Sequence, residues 1–265
     1  MAGSIDVWEM GVSTKLLANC GSWVACGKTA FKQLNLLQNS YLRMVYNCPP
    51  STPVPGLRAL AEVWDIEHKV ALEKVCLVTT VLQNREENNY ARELLEEEQL
   101  HSWGGIIQEV KDICQEMGLP NATQQFVSRQ EAKEAISLHH LITIKKEMKG
   151  KRKCDQIYKR DIRKMQEFML DKSLENARME VLWLTDMLDT RSTMKGRYRQ
   201  YACPHCCEGR DLGTLETPQH LMHCQAYLQL RQGLNPEEDF VDRSYYLRKV
   251  IAKRKELELE LKKKE

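Results

Sequence analysis

The sequence predicts a mainly α-helical protein, and three observations carry that prediction. Gly and Pro are sparse, at 13 and 8 of 265 residues; Leu, Glu, Lys, Gln and Met are abundant; apolar residues recur at three- and four-residue spacing in successive segments. Extended sheet would need more β-branched runs than the chain contains. With 42% hydrophobic residues the chain can fill a genuine core, in one large domain or two small ones.

Residues 14–27 are small and apolar, with Gly21 and Gly27 as punctuation, and leave strand and short helix both open. Over 29–46, Phe31, Leu34, Leu37, Leu42 and Val45 mark an amphipathic helix that ends at the Cys48-Pro49-Pro50 break. The stretch 48–56 holds four prolines in nine positions, each fixing its own φ and disfavouring helix in the residue before it, so an extended turn is expected. Thr52-Pro53 can open a helix over 56–63, and Asp65 is placed to cap a longer one over 66–84. The apolar face of that helix is Val70, Leu72, Val75, Leu77, Val78 and Val81.

Between Arg85 and Glu98 six glutamates accompany two arginines, a solvated helix surface. A helix over 101–117 is expected to bury Trp103, Ile106, Ile107, Val110 and Ile113 and to stop at Gly118-Leu119-Pro120. Ser128 with Glu131 forms a capping box for the next helix. Helical spacing returns over 170–188 and 225–233, Asn235-Pro236 breaks the chain, and 245–265 reads as a charged terminal helix that frays. No internal repeat is visible.

The 39 basic and 37 acidic residues leave a net charge of +2, too small for a strong global field toward polyanions. Positive charge is concentrated locally instead: 145–164 contains ten basic residues against three acidic ones, and Arg191, Lys195, Arg197 and Arg199 alternate with Tyr198 and Tyr201. The first ten residues include Asp6 and Glu9 without a basic region leading into an apolar one, and no window approaches the roughly 18 apolar residues of a spanning helix. The expectation is a soluble intracellular protein, nuclear or cytoplasmic, with no membrane association. Asn121-Ala122-Thr123 fits a glycosylation acceptor but reads as a loop in that compartment.

Of ten cysteines, Cys20, Cys26, Cys48, Cys76, Cys114 and Cys154 are scattered singly, whereas four lie between 203 and 224, which favours metal over disulfides. Cys203-x2-Cys206, thirteen intervening residues and His220-x3-Cys224 match the paired layout of structural zinc sites. A two-residue gap lets one turn aim both thiolates at an ion, and a three-residue gap on a helix sets His220 and Cys224 one turn apart. His205, Cys207 and His223 each stand one residue from a ligand and could substitute for it. Four protein ligands close the coordination sphere, so the zinc is expected to be structural and not catalytic.

Other chemistries find less support. A zinc deaminase needs His-x-Glu upstream of Pro-Cys-x-x-Cys, and the chain has neither. His139-His140 with Cys154 reads as surface or core residues, not a base and its nucleophile. Asp186 and Asp189 are expected on one helical face as a solvated edge, and no phosphate-cradling glycine loop is present.

The stretch KLLANCGSW followed by LNLLQNSYLRMVYNCPPSTPVP, within 15–55, resembles the thumb region of non-LTR retrotransposon reverse transcriptases. The order of the remainder is similar too: a helical linker, an Arg-rich segment at 190–201 (TRSTMKGRYRQY) and a zinc knuckle at 203–224 (CPHC then ETPQHLMHC), so the resemblance spans about 15–230. It implies a thumb-like helical region at 1–125, a basic helical linker at 126–200, a CCHC zinc knuckle at 201–232 and a charged C-terminal helix at 233–265.

Such polymerases use palm aspartates, commonly an adjacent pair, and no Asp-Asp pair occurs here, so the chain is expected not to be an enzyme. Some relatives carry a nuclease after the knuckle; Pro236-Glu237-Glu238-Asp239 and Glu260-Leu261-Lys262 echo its carboxylates too faintly to expect one. The expected function is a noncatalytic RNA- or DNA-binding segment. Lys151, Arg152, Lys153, Arg191, Arg197 and Arg199 would meet phosphates, and Tyr198 or Tyr201 would stack on a base. The rival expectation is a zinc-stabilised helical module whose helices over 29–117 dock a protein partner, such as a separately encoded polymerase palm, while the metal only supports the fold.

Overall fold

The computed structural model describes residues 7–24, 26–83, 90–101, 105–160, 173–188, 190, 203, 205 and 215–264. Among them the regular elements are helical and no strand occurs, as the composition predicts. The chain divides into two compact units, each discontinuous in sequence: Ile5–Tyr41 with Glu62–Glu147, and Leu42–Ala61 with Met148–Glu265. They are called the first and second unit below.

The first unit opens with short helical segments, Val7–Ser13, Thr14–Leu16 and Cys20–Ser22, so over 14–27 the regular elements are two short helical turns separated by a turn at 17–19. Gly21 is required there: a Cβ would lie 2.9 Å from the Glu73 carbonyl oxygen. Helix α1 (Lys28–Val45) supplies Phe31 and Leu34 to a small cluster with Cys20, Ile66 and Val70. In the second unit α2 (Val54–Ala61) begins two residues before the expected start at 56, because Pro55 in a first turn has no N–H to lose.

Helix α3 (Ile66–Gln83) returns to the first unit and is its centre. Asp65 caps it as expected, its Oδ1 accepting from the His68 backbone N–H at 3.1 Å. Burial is broader than the predicted apolar face and takes in Lys74, which pairs with Glu109. The acidic stretch forms α4 (Tyr90–His101). The helix expected over 101–117 starts later, as α5 (Ile106–Met117), after an extended Gly105. The reason lies in the capping: the Glu98 carboxylate accepts from the Ile107 N–H at 2.7 Å, satisfying a helix-start donor. Trp103 lies outside the described residues.

Helix α5 ends at left-handed Gly118, with the Leu119 N–H bonded to the Cys114 carbonyl at 2.8 Å. The Asn121 side chain accepts from the Thr123 N–H and hydroxyl, a local turn. The Ser128–Glu131 capping box then starts α6 (Arg129–Met148): Ser128 donates to Glu131 Oε2 from its N–H at 2.8 Å and its hydroxyl at 2.7 Å, and the Glu131 N–H donates back at 3.2 Å. Leu72, Val75 and Val78 of α3, Ile107 and Val110 of α5 and Ile136 of α6 form one apolar core.

The second unit is built on α7 (Leu174–Leu184) packed along α9 (Phe240–Lys264). Glu180, fully buried on α7, receives two bonds from Arg243 of α9 at 2.7 and 2.8 Å, the fork geometry that makes a buried ion pair tolerable. Two expectations are corrected here. Helix α7 ends at Leu184, and Asp186 takes a φ of 52°, so Asp186 is not on a helical face; Asp189 lies outside the described residues. The terminal helix starts at Phe240 under an Asp239 cap, and it is packed as far as its fifteenth residue, with Tyr246, Leu247, Val250 and Arg254 buried. Among the described residues no helix is long and apolar enough to cross a membrane.

Candidate metal centre

The ligand segment is arranged by its own sequence. Thr217, extended, accepts the His220 N–H on its Oγ1 at 3.0 Å, and Pro218 occupies the first helical position of α8 (Pro218–His223). His220 therefore sits at the third helical residue. Cys224 follows the last one in extended conformation, φ −63° and ψ 123°, so the two ligands span the end of the helix and do not share its face as expected. The loss of helix at Cys224 turns its sulfur back toward Cys203.

One ligand atom each from Cys203, His220 and Cys224 lies within 4.8 Å of the others, a group that can hold a metal ion. The two sulfurs are 3.9 Å apart. That spacing far exceeds the S–S bond of about 2.0 Å. It matches the edge of about 3.8 Å that a tetrahedron with bonds near 2.3 Å requires. Cys206, the fourth expected ligand, and Cys207 lie outside the described residues. The two neighbouring histidines stay apart from the group: His223 is 65% exposed beside Glu237, and the His205 ring packs edge-on against Tyr227.

The surroundings are apolar and fix the segment from several sides. Cys203 and Cys224 belong to the buried cluster that holds Leu221, Met222, Tyr227, Tyr246 and Leu247. The Tyr246 hydroxyl donates to the Leu221 carbonyl at 3.0 Å, and burial pushes its phenol up to about 12. Burial also raises the Tyr227 phenol, reinforced by the negative charge of Cys203 and Cys224. Buried Arg254 pairs with buried Glu216 at 3.1 Å, immediately before the Thr217 cap, and Arg231 donates to the Met222 carbonyl at 3.2 Å.

The remaining expected positions fare unevenly. Arg191, Arg197, Tyr198, Arg199 and Tyr201 lie outside the described residues. Lys151, Arg152 and Lys153 occupy the turn after α6, and Lys151 and Arg152 line a cavity of about 440 Å³ together with Tyr158, Asp186 and Gln219, the residue before His220. Burial raises the Asp186 carboxyl against the opposing effect of Arg152 and Lys153. Elsewhere in the basic run Lys159 pairs with Asp155, and Arg160 leans toward Glu180 at 3.6 Å. Cys154 is fully buried, and burial pushes its thiol up. Glu237 is spent on Arg231 and Asp239 on its cap, so these carboxylates serve structure.

A second group was not read from the sequence: Asp65, His68 and His140 also place one ligand atom each within 4.8 Å. Asp65 and His68 are one turn apart, a visible signal, but nothing in the sequence ties them to His140. Comparison with protein-family models, with curated proteins and with solved structures finds no match for the chain.

Proposed function

We propose that the chain is a noncatalytic nucleic-acid-binding segment, similar to the thumb, linker and zinc-knuckle part of a non-LTR retrotransposon reverse transcriptase, in which a structural zinc ion is held by Cys203, Cys206, His220 and Cys224. One observation carries the reading. Three of the four ligands expected from spacing meet with sulfur separations suited to zinc, and exposed Lys151 and Arg152 line a cleft that reaches Gln219 beside ligand His220. The ion would hold the ligand segment, and with it one wall of that cleft, in register. Lys151, Arg152, Lys153, Arg191, Arg197 and Arg199 would take phosphates, and Tyr198 or Tyr201 a base face. Polymerisation is not assigned to this chain, which lacks an Asp-Asp pair.

The test is the salt dependence of binding to a structured RNA. Affinity is expected to fall steeply with salt, and reversing Lys151 and Arg152 to Glu is expected to reduce the log–log slope by about 1 per cation. Binding that is insensitive to salt and to these reversals overturns the reading. That outcome would favour docking of a protein partner, for which Tyr90 and Leu94, one turn apart on α4 and 78% and 65% exposed, offer an apolar surface.

A further inference from the structure

Titratable side chains gather a second time, inside the first unit, in a group that contains no cysteine. Asp65 stands at the start of α3 and His68 one turn later, with His68 Nδ1 2.5 Å from Asp65 Oδ1. His140 comes from α6, its Nδ1 3.6 Å from the other carboxylate oxygen, and its ring meets that of His68 edge-on at 5.0 Å between centroids. The far nitrogen of His68, Nε2, lies 3.0 Å from His139 Nδ1, and His139 Nε2 lies 3.7 Å from Glu116. Asp65, His68 and His140 are 8%, 6% and 4% exposed. The Trp64 ring packs against His140 at 6.2 Å.

A buried carboxylate must be neutralised. One imidazolium would suffice, yet two imidazoles approach Asp65, one toward each oxygen. Protonating both would set two like charges about 5 Å apart in a site of low dielectric. A divalent cation removes that conflict, because both rings stay neutral and each gives a lone pair. One ligand atom of each residue lies within 4.8 Å of the others, and the 3.6 Å between His140 Nδ1 and Asp65 Oδ2 is near the edge of roughly 3.3 Å expected around a tetrahedral ion with bonds of about 2.0–2.1 Å, whereas the 2.5 Å between His68 Nδ1 and Asp65 Oδ1 is a hydrogen-bond distance that must open when an ion replaces the shared proton. Two imidazoles and one carboxylate suit zinc-class ions and are too poor in oxygen for calcium or magnesium.

We propose that Asp65, His68 and His140 form a second metal site, for a zinc-class divalent cation, which ties the start of α3 to α6. Its three protein ligands leave a fourth position for water. His68 binds through Nδ1 and donates its Nε2–H to His139, whose place is that of a positioning residue holding the ring's tautomer, with Glu116 behind it. The proposal is independent of the zinc knuckle and of nucleic-acid binding.

The test is metal stoichiometry and cobalt spectroscopy on the whole chain. Wild-type protein is expected to bind two equivalents, one with the sulfur-to-cobalt charge-transfer band of a thiolate site and one with weak ligand-field bands only. Asp65→Asn keeps a good helix cap and removes the carboxylate. It and His140→Asn should each lose one equivalent while the charge-transfer band persists. His139→Ala should weaken that equivalent about 10–100-fold. A wild-type total of one equivalent with a full charge-transfer band overturns the proposal, as does retention of the second equivalent in both Asp65→Asn and His140→Asn. An absent charge-transfer band, with one equivalent still lost on Asp65→Asn, leaves this site standing and removes the knuckle.

Discussion

The two units use polar chemistry in opposite ways. In the first, Leu72, Val75, Val78, Ile107, Val110 and Ile136 make an apolar core, and the group that can hold a metal ion is a buried carboxylate with two imidazoles, Asp65, His68 and His140. In the second, Cys203 and Cys224 are themselves members of the buried cluster with Leu221, Tyr246 and Leu247. The difference teaches what each proposed ion would do: one would sit among sulfurs packed with apolar side chains, the other would bridge buried polar groups. Thiolates embedded in a core are part of its packing and leave buried charge behind if the ion departs.

The largest expected effect breaks the comparison at that point. Stripping the proposed zinc with a chelator, or Cys224→Ser, should cost the second unit on the order of 10 kcal/mol, enough to unfold it. Hydrogen exchange should then show lost protection at Leu221, Tyr246 and Leu247 while Val75, Val110 and Ile136 stay protected. Equal loss in both units, or loss in neither, would abolish the distinction. A smaller effect runs the other way: Ile136→Ala opens a cavity in the first unit's core and should cost about 2–5 kcal/mol by denaturant titration, with the cobalt charge-transfer band unchanged.

The smallest effect concerns the exposed cap of α6. Hydrogen bonds from the Ser128 hydroxyl and N–H hold the Glu131 carboxyl below its ordinary value. A depressed folded pKa means that the contribution is fully present above the usual glutamate range and is lost as pH falls through the folded value. Glu131→Gln should therefore flatten the acid limb of a stability-against-pH curve slightly; an unchanged limb would show that the box contributes nothing there.

Periodicity made most helices readable: 29–46 became Lys28–Val45, and 66–84 became Ile66–Gln83. Boundaries failed where a distant side chain decided them. Glu98 reaches the N–H of Ile107 and moves a helix start from 101 to 106, which no local propensity reveals. The terminal helix looked charged and loose because its many Lys, Arg and Glu suggest a solvated surface, whereas Arg254 is buried against Glu216 from elsewhere in the chain.

The sequence by itself determined the helical class, the caps at Asp65 and Ser128, and three members of a group that can hold a metal ion, because each depends on neighbours within a turn or on a short fixed spacing. Only the tertiary structure decided which carboxylates are buried in ion pairs and that His140 joins Asp65 and His68. Those choices rest on contacts between residues far apart in the chain, and side-chain type alone does not say which surfaces will meet.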